Sequence, residues 1–172
     1  MLYIVRHGET DWNKEGRCQG HSNIPLNEQG RNQAREVREK LKDVNFDVVF
    51  CSPLDRTIET ARIITDGKII TDDRIIERNN GILEGKNKVE IKEIKSKPDY
   101  KDEDYNVETP EELQIRANIF LDDILSKYKG KNILIVTHGG ITVNLRSYLD
   151  GPTDDIREYV LNNCEVYTYN NE

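Results

Sequence analysis

Five short apolar runs, at 2–6, 47–51, 68–71, 132–137 and 164–169, alternate with segments whose apolar residues recur every three or four positions. Runs of that length suit buried strands, and the longer period suits amphipathic helices. Such alternation places the strands in a mostly parallel sheet with helices on both faces, a three-layer α/β/α sandwich. Asn27 can cap a helix running to about Lys42, and Ser52-Pro53 can open another through Arg56, Thr57, Thr60 and Ala61. "TPEE" at 109–112 is a capping box with proline at the first helical position. Behind it Leu113, Ala117, Phe120, Leu121, Ile124, Leu125 and Tyr128 form one apolar stripe. A last helix follows Gly140 and ends near Leu149, before Gly151-Pro152.

The 172 residues are expected to form one domain, with no internal repeat or low-complexity linker. Residues 79–108 are the least regular part, charged and with one weak helical pattern at Val89, Ile91 and Ile94. They read as a partly mobile excursion beside the site. The acidic "DEDY" at 102–105 reads as a solvated loop, and Cys18 as a small buried side chain.

Two strands end in the same way. "LYIVRHGETDWN" (2–13) and "NILIVTHGGITVN" (132–144) each run from an apolar strand into histidine and glycine. In doubly wound sheets the ligand crevice lies outside the carboxyl ends of the strands, where His7, Ser52 and His138 all fall. Two histidines are too few for a metal site, and Arg6 beside His7 repels a divalent cation. Arginine suits phosphate, which its planar fork can meet bidentately. Glycine after a strand opens a backbone nest for the same ligand, and Arg56 in the first turn of a helix adds a further donor. These elements favour a phosphate between His7, His138, Arg6 and Arg56, with a neutral imidazole as nucleophile. His21, in the loop after the first motif, reads as exposed or at the pocket rim.

Charge and cysteine usage narrow the partners. The net charge of −7 argues against nucleic acid or an anionic membrane, although local arginines can still attract a small anion. Cys18, Cys51 and Cys164 are odd in number and widely spaced, so neither a disulfide framework nor a zinc site is suggested. No signal peptide opens the chain and no apolar stretch could span a bilayer, so a cytoplasmic protein is expected. Oligomeric state is not legible.

"RHGET" at 6–10 resembles the signature of the histidine phosphatase superfamily, the phosphoglycerate mutase-like proteins. Four further segments resemble that family's motifs in the same order: "IPLNEQGRNQA" (24–34), "SPLDRTIETA" (52–61), "ERNNGILEG" (77–85) and "VTHGG" (136–140). The resemblance implies a phosphoglycerate mutase-like fold over residues 1–172. It makes His7 the nucleophile that becomes phosphohistidine. Arg6, Arg56 and His138 would hold the phosphoryl oxygens, and Glu77 would be the general acid and then the base, with Glu84 as competitor. Asn13 matches a position that reaches the phosphate, Gly8 would allow close backbone approach, and Gly139 would contribute to the nest. No metal or other cofactor is implied.

Within the family, "ERNNGIL" is closer to the mutases' E-R-x-x-G-x-L than to the tryptophan common in phosphatases. Mutases, however, carry a long insertion after this motif and a C-terminal tail that enclose the site. Here the segment from Gly85 to Pro110 is short and the chain stops soon after Tyr169. A wetter site favours water as acceptor. The expectation is a metal-independent phosphatase of small phosphomonoesters. The alternatives are a phosphoglycerate mutase-type phosphotransferase, a phosphoprotein phosphatase, or a phospho-ligand-binding module with negligible turnover.

Overall fold

The computed structural model describes residues 1–172. Five strands, β1 (Leu2–Arg6), β2 (Val48–Cys51), β3 (Ile69–Thr71), β4 (Ile133–Thr137) and β5 (Val166–Tyr169), form one sheet in the order β3-β2-β4-β1-β5. β1 to β4 run parallel, and only β5, at the edge beside β1, is antiparallel. β4 is buried at every position because both of its faces are covered.

Its side chains alternate between two cores, as the pleat requires. Ile133 and Ile135 join Leu2, Ile4 and Phe50 under α5 (Pro110–Lys127) and α6 (Gly139–Asp150). Leu134 and Val136 join Val5, Val49 and Cys51 under α2 (Glu28–Lys40) and α3 (Asp55–Ile64). The expected three layers are present. The α5 stripe is buried from Leu113 to Ile124, with Leu125 and Tyr128 packed at its edge. Thr109 and Glu112 complete the capping box ahead of it. Two shorter helices, α1 (Asp11–Glu15) and α4 (Lys88–Lys95), lie in the connections.

Three local expectations are corrected. Pro53 is not in the first turn of α3, which starts at Asp55 with Leu54 at its cap. Pro53 and Leu54 form a bend first, and the Ser52 carbonyl accepts from Thr57 Oγ1 (2.8 Å). "DEDY" is a 3₁₀ turn rather than a loop, with Glu103 and Asp104 exposed as expected. Asp102 in it pairs with Arg78 (2.9 Å) and Lys95 (3.3 Å) and accepts from the Tyr100 hydroxyl (2.6 Å). Cys18 is half-buried, not buried, and partial burial together with the nearby Glu84 pushes its thiol up to about 11.

Candidate active site

The two histidines meet because β1 and β4 are parallel and in register. Arg6 stands opposite Thr137, so the next residue of each strand, His7 and His138, leaves the sheet side by side. The His7 amide donates to the Thr137 carbonyl (2.9 Å), and the rings lie edge to face with centroids 5.2 Å apart. His7 is 2% exposed and His138 fully buried.

The protonation of His7 follows from one contact. Its Nδ1 lies 2.7 Å from the Gly8 carbonyl, which can only accept, so Nδ1 carries the proton. Nε2 is left with a free lone pair. Burial holds the pKa of His7 well below 6.5, and the nearby Arg56 and Arg6 cations lower it further. His138 is lowered for the same first reason, with Arg56, His7 and Arg6 adding to it.

Around these rings stand buried nitrogen atoms without protein partners: the donors Arg6 Nε and Arg56 Nε, and His138 Nδ1. Orphaned buried donors are rare, because each carries a desolvation cost. The other ends of these side chains are fixed. Arg6 Nη1 donates to the Leu161 carbonyl (2.8 Å), and Arg56 donates to the carbonyls of Ser22 and Gly20 (2.8 Å each). His138 Nε2 meets Ser52 Oγ at 2.7 Å. Burial lowers both guanidinium pKa values, that of Arg56 to about 10, and both remain cationic at neutral pH. The arrangement is a ring of positive charge and open N–H groups beside a neutral imidazole.

Glu77 and Glu84 are separated by their partners. The Glu77 carboxylate accepts from the backbone N–H groups of Arg78 (2.9 Å) and Gly140 (3.1 Å) at the start of α6, next to His138. Glu84 instead clasps the loop before α2. It accepts from the amides of His21 and Ser22 (2.8 Å each), from Ser22 Oγ (2.5 Å) and from Asn80 N (3.2 Å). Gly20 must lack a side chain there, since a Cβ would strike the Glu84 carboxylate. The same loop is therefore gripped by Arg56 through its carbonyls and by Glu84 through its N–H groups.

The remaining expected residues fall into place differently. Asn13 spends its amide oxygen on Thr10 and on Asn163 Nδ2 (3.2 Å). The close approach that Gly8 permits in this structure is to Gly30 of α2, whose carbonyl a Cβ would strike, and the Gly8 amide donates to Thr60 Oγ1 (3.0 Å). Gly139 lies against the Arg6 guanidinium. His21 is exposed, and its Nε2 sits 2.8 Å from the Glu77 carbonyl.

Two contributors were not legible as such. Ser52 orients His138, although only its strand-end position could be read. Arg116 of α5 fixes the backbone around Glu77. Its five N–H groups all find acceptors: the carbonyls of Arg74, Ile76 and Glu77 and both oxygens of Glu108. Nothing in the periodicity of α5 distinguishes Arg116 from a surface arginine.

Burying two neutral imidazoles has a consequence for stability. The unfolded chain takes up protons on its histidines as pH falls through 6.5, while His7 and His138 in the fold do not. Stability from this source is complete above pH 6.5 and is lost below it, at up to about 1.4 kcal/mol per pH unit for each histidine. Thermal unfolding between pH 7 and 5 should show Tm falling. His7→Gln and His138→Gln should each flatten the decline, and a slope unchanged in both would contradict the assignment.

The model of the histidine phosphatase superfamily (branch 1) matches residues 2–171, and the chain belongs to that family. It is 38% identical over 165 residues to the uncharacterized phosphatase PhoE of Bacillus subtilis (strain 168), covering 94% of this chain and 83% of that protein. Two solved structures bracket the chemistry. The fold is similar to a phosphoserine phosphatase of Entamoeba histolytica in complex with 3-phosphoglyceric acid (TM-score 0.80, 26% identity, 96% of this chain and 87% of that one). It is similar as well to a phosphoglycerate mutase of Bacillus anthracis str. Sterne (TM-score 0.82, 26% identity, 96% and 85%). The family and these relatives indicate phosphatase- or mutase-type enzyme activity. No helix of the chain is long and apolar enough to cross a membrane.

Proposed function

We propose that the chain is one histidine phosphatase domain that hydrolyses small-molecule phosphomonoesters through a phosphohistidine on His7. The observation that carries this reading is the free Nε2 of a neutral, buried imidazole beside three unpartnered nitrogens, Arg6 Nε, Arg56 Nε and His138 Nδ1, which in this reading is protonated. A phosphoryl group seated there gives each donor its missing acceptor. In the first step the His7 Nε2 lone pair attacks phosphorus, and the ester P–O bond breaks. Its electron pair leaves on the alcohol oxygen, which takes a proton from Glu77. In the second, water attacks phosphorus, Glu77 takes a proton from it, and the P–N bond breaks to release inorganic phosphate. Arg6, Arg56 and His138 bind the equatorial oxygens throughout, where charge is spread in the transition state.

Water is the acceptor in this reading because the excursion between Gly85 and Pro110 is short compared with that of the family's mutases. Metal independence is part of the same proposal. The two guanidiniums supply the charge, and no group of three or more His, Cys, Asp or Glu side chains is gathered to hold a cation. The test uses 3-phosphoglycerate with a trace of the bisphosphorylated primer in the presence of a strong chelator. Phosphate release should outrun isomerisation. Rapid formation of 2-phosphoglycerate without free phosphate would make the enzyme a mutase, and chelator-sensitive hydrolysis would remove metal independence.

A further inference from the structure

Ser52 is fully buried and directly follows β2. Parallel pairing brings it to His138, as it brings His7. Cys51 stands opposite Val136 where β2 pairs with β4, and the Ser52 amide donates to the Val136 carbonyl (3.1 Å). Ser52 therefore leaves the sheet beside Thr137 and His138. Its carbonyl accepts from Thr57 Oγ1 (2.8 Å), so the backbone is held on both sides of the side chain. The hydroxyl then meets His138 Nε2 at 2.7 Å.

The direction of this hydrogen bond follows from what else the hydroxyl touches. Ser52 Oγ has one further partner, the Leu54 amide at 3.5 Å, and an amide N–H can only donate. The hydroxyl proton is left with a single acceptor, His138 Nε2. Were Nε2 protonated instead, a fully buried hydroxyl would hold a proton with nowhere to donate, an arrangement that proteins rarely contain.

His138 is held neutral for separate reasons. It caps α6, whose positive end disfavours a second proton, and the Arg6 and Arg56 guanidiniums are close by. In a neutral imidazole one nitrogen donates and the other accepts, and the hydrogen bond at one decides the state of the other. With Nε2 accepting, the ring proton falls on Nδ1, the nitrogen that is buried without a protein partner.

We infer that Ser52 is a positioning residue for phosphoryl transfer: its hydroxyl donates to His138 Nε2 and so fixes the tautomer in which Nδ1 carries the proton. The catalytic consequence rests on the phosphatase reading. A phosphoryl oxygen needs an N–H at that point, whereas a lone pair there would oppose the charge that develops in transfer. The tautomer itself does not depend on turnover, so the two can fail separately.

The test is a ¹⁵N spectrum of the full chain labelled at histidine, recorded at neutral pH without ligand. The His138 signals, assigned by their loss in His138→Gln, should show a protonated Nδ1 and an unprotonated Nε2. Ser52→Ala keeps the backbone contacts and removes the hydroxyl, and the ring proton should then move toward Nε2. On p-nitrophenyl phosphate the same variant should lose about tenfold or more in kcat with KM little changed, part of the ~10²–10³-fold that one missing oxyanion donor costs. Ser52→Thr, which retains a hydroxyl, should recover both the Nδ1 proton and most of kcat. A protonated Nε2 in the wild type, or an unchanged tautomer in Ser52→Ala, overturns the inference. A shifted tautomer with unchanged kcat removes Ser52 from the reaction. Wild type that shows the Nδ1 proton but turns over no p-nitrophenyl phosphate would instead overturn the phosphatase reading and leave the tautomer standing.

Discussion

His7→Ala should carry no covalent phosphate and lose phosphatase activity by roughly 10⁴-fold or more, the scale seen when a catalytic nucleophile is removed. The reason lies in the pairing of β1 with β4. The register Arg6–Thr137 brings the His7 imidazole, with its free Nε2, to the buried guanidiniums. His138 cannot substitute in this reading, because its Nε2 is engaged with Ser52 at 2.7 Å. Rapid quenching of the wild type with a labelled phosphoester should trap label that is acid-labile and base-stable, as expected of a phosphoramidate. Equal label in His7→Ala would refute the assignment. His138→Ala separates the two roles: it should still accept label, but more slowly, since it removes one oxygen-binding donor and leaves the nucleophile.

Much of this arrangement is legible in the sequence, and the reason is physical. A strand buried on both faces must be a continuous apolar run, so β1, β2 and β4 stand out from a highly charged chain. Residues that leave such strands at their carboxyl ends are brought together by parallel pairing, whatever their separation in sequence. That is why Arg6, His7, Ser52 and His138 could be grouped, and why Arg56 followed from the helix after β2. What periodicity carries no information about is where a side chain points. Glu77 and Glu84 lie in one motif and are chemically alike, yet one faces the start of α6 and the other spends both oxygens on the loop at His21 and Ser22. The excursion is opaque to periodicity for the same reason. Asp102 is held by Arg78 and Lys95, at sequence separations where no local rule operates. Arg116 is the clearest case, since all five of its donors serve backbone and carboxylate groups from other segments.

The division between the two glutamates sets the remaining large effect. An alkyl alkoxide leaves phosphorus poorly unless it is protonated, whereas p-nitrophenolate leaves readily. If Glu77 is the acid, its loss must depend on which of these departs. Glu77→Gln keeps the size of the side chain and can still accept from the Arg78 and Gly140 amides, so the start of α6 should stay in place. It cannot deliver a proton with carboxylic acidity. General acid help is typically worth ~10²–10⁴-fold, so kcat for glycerol 3-phosphate should fall by about that factor, with a much smaller fall for p-nitrophenyl phosphate. Arg56→Ala should impair both esters, because its guanidinium serves the phosphoryl group they share and also holds the loop at Gly20 and Ser22. Glu84→Gln is the control that distinguishes proton transfer from positioning. It loosens the same loop from its other side, since an amide oxygen replaces only one of the two acceptors that His21 and Ser22 use. Its effect should fall on KM and be alike for the two esters. Equal losses on both esters in Glu77→Gln, or a leaving-group-dependent loss confined to Glu84→Gln, would take the acid role away from Glu77.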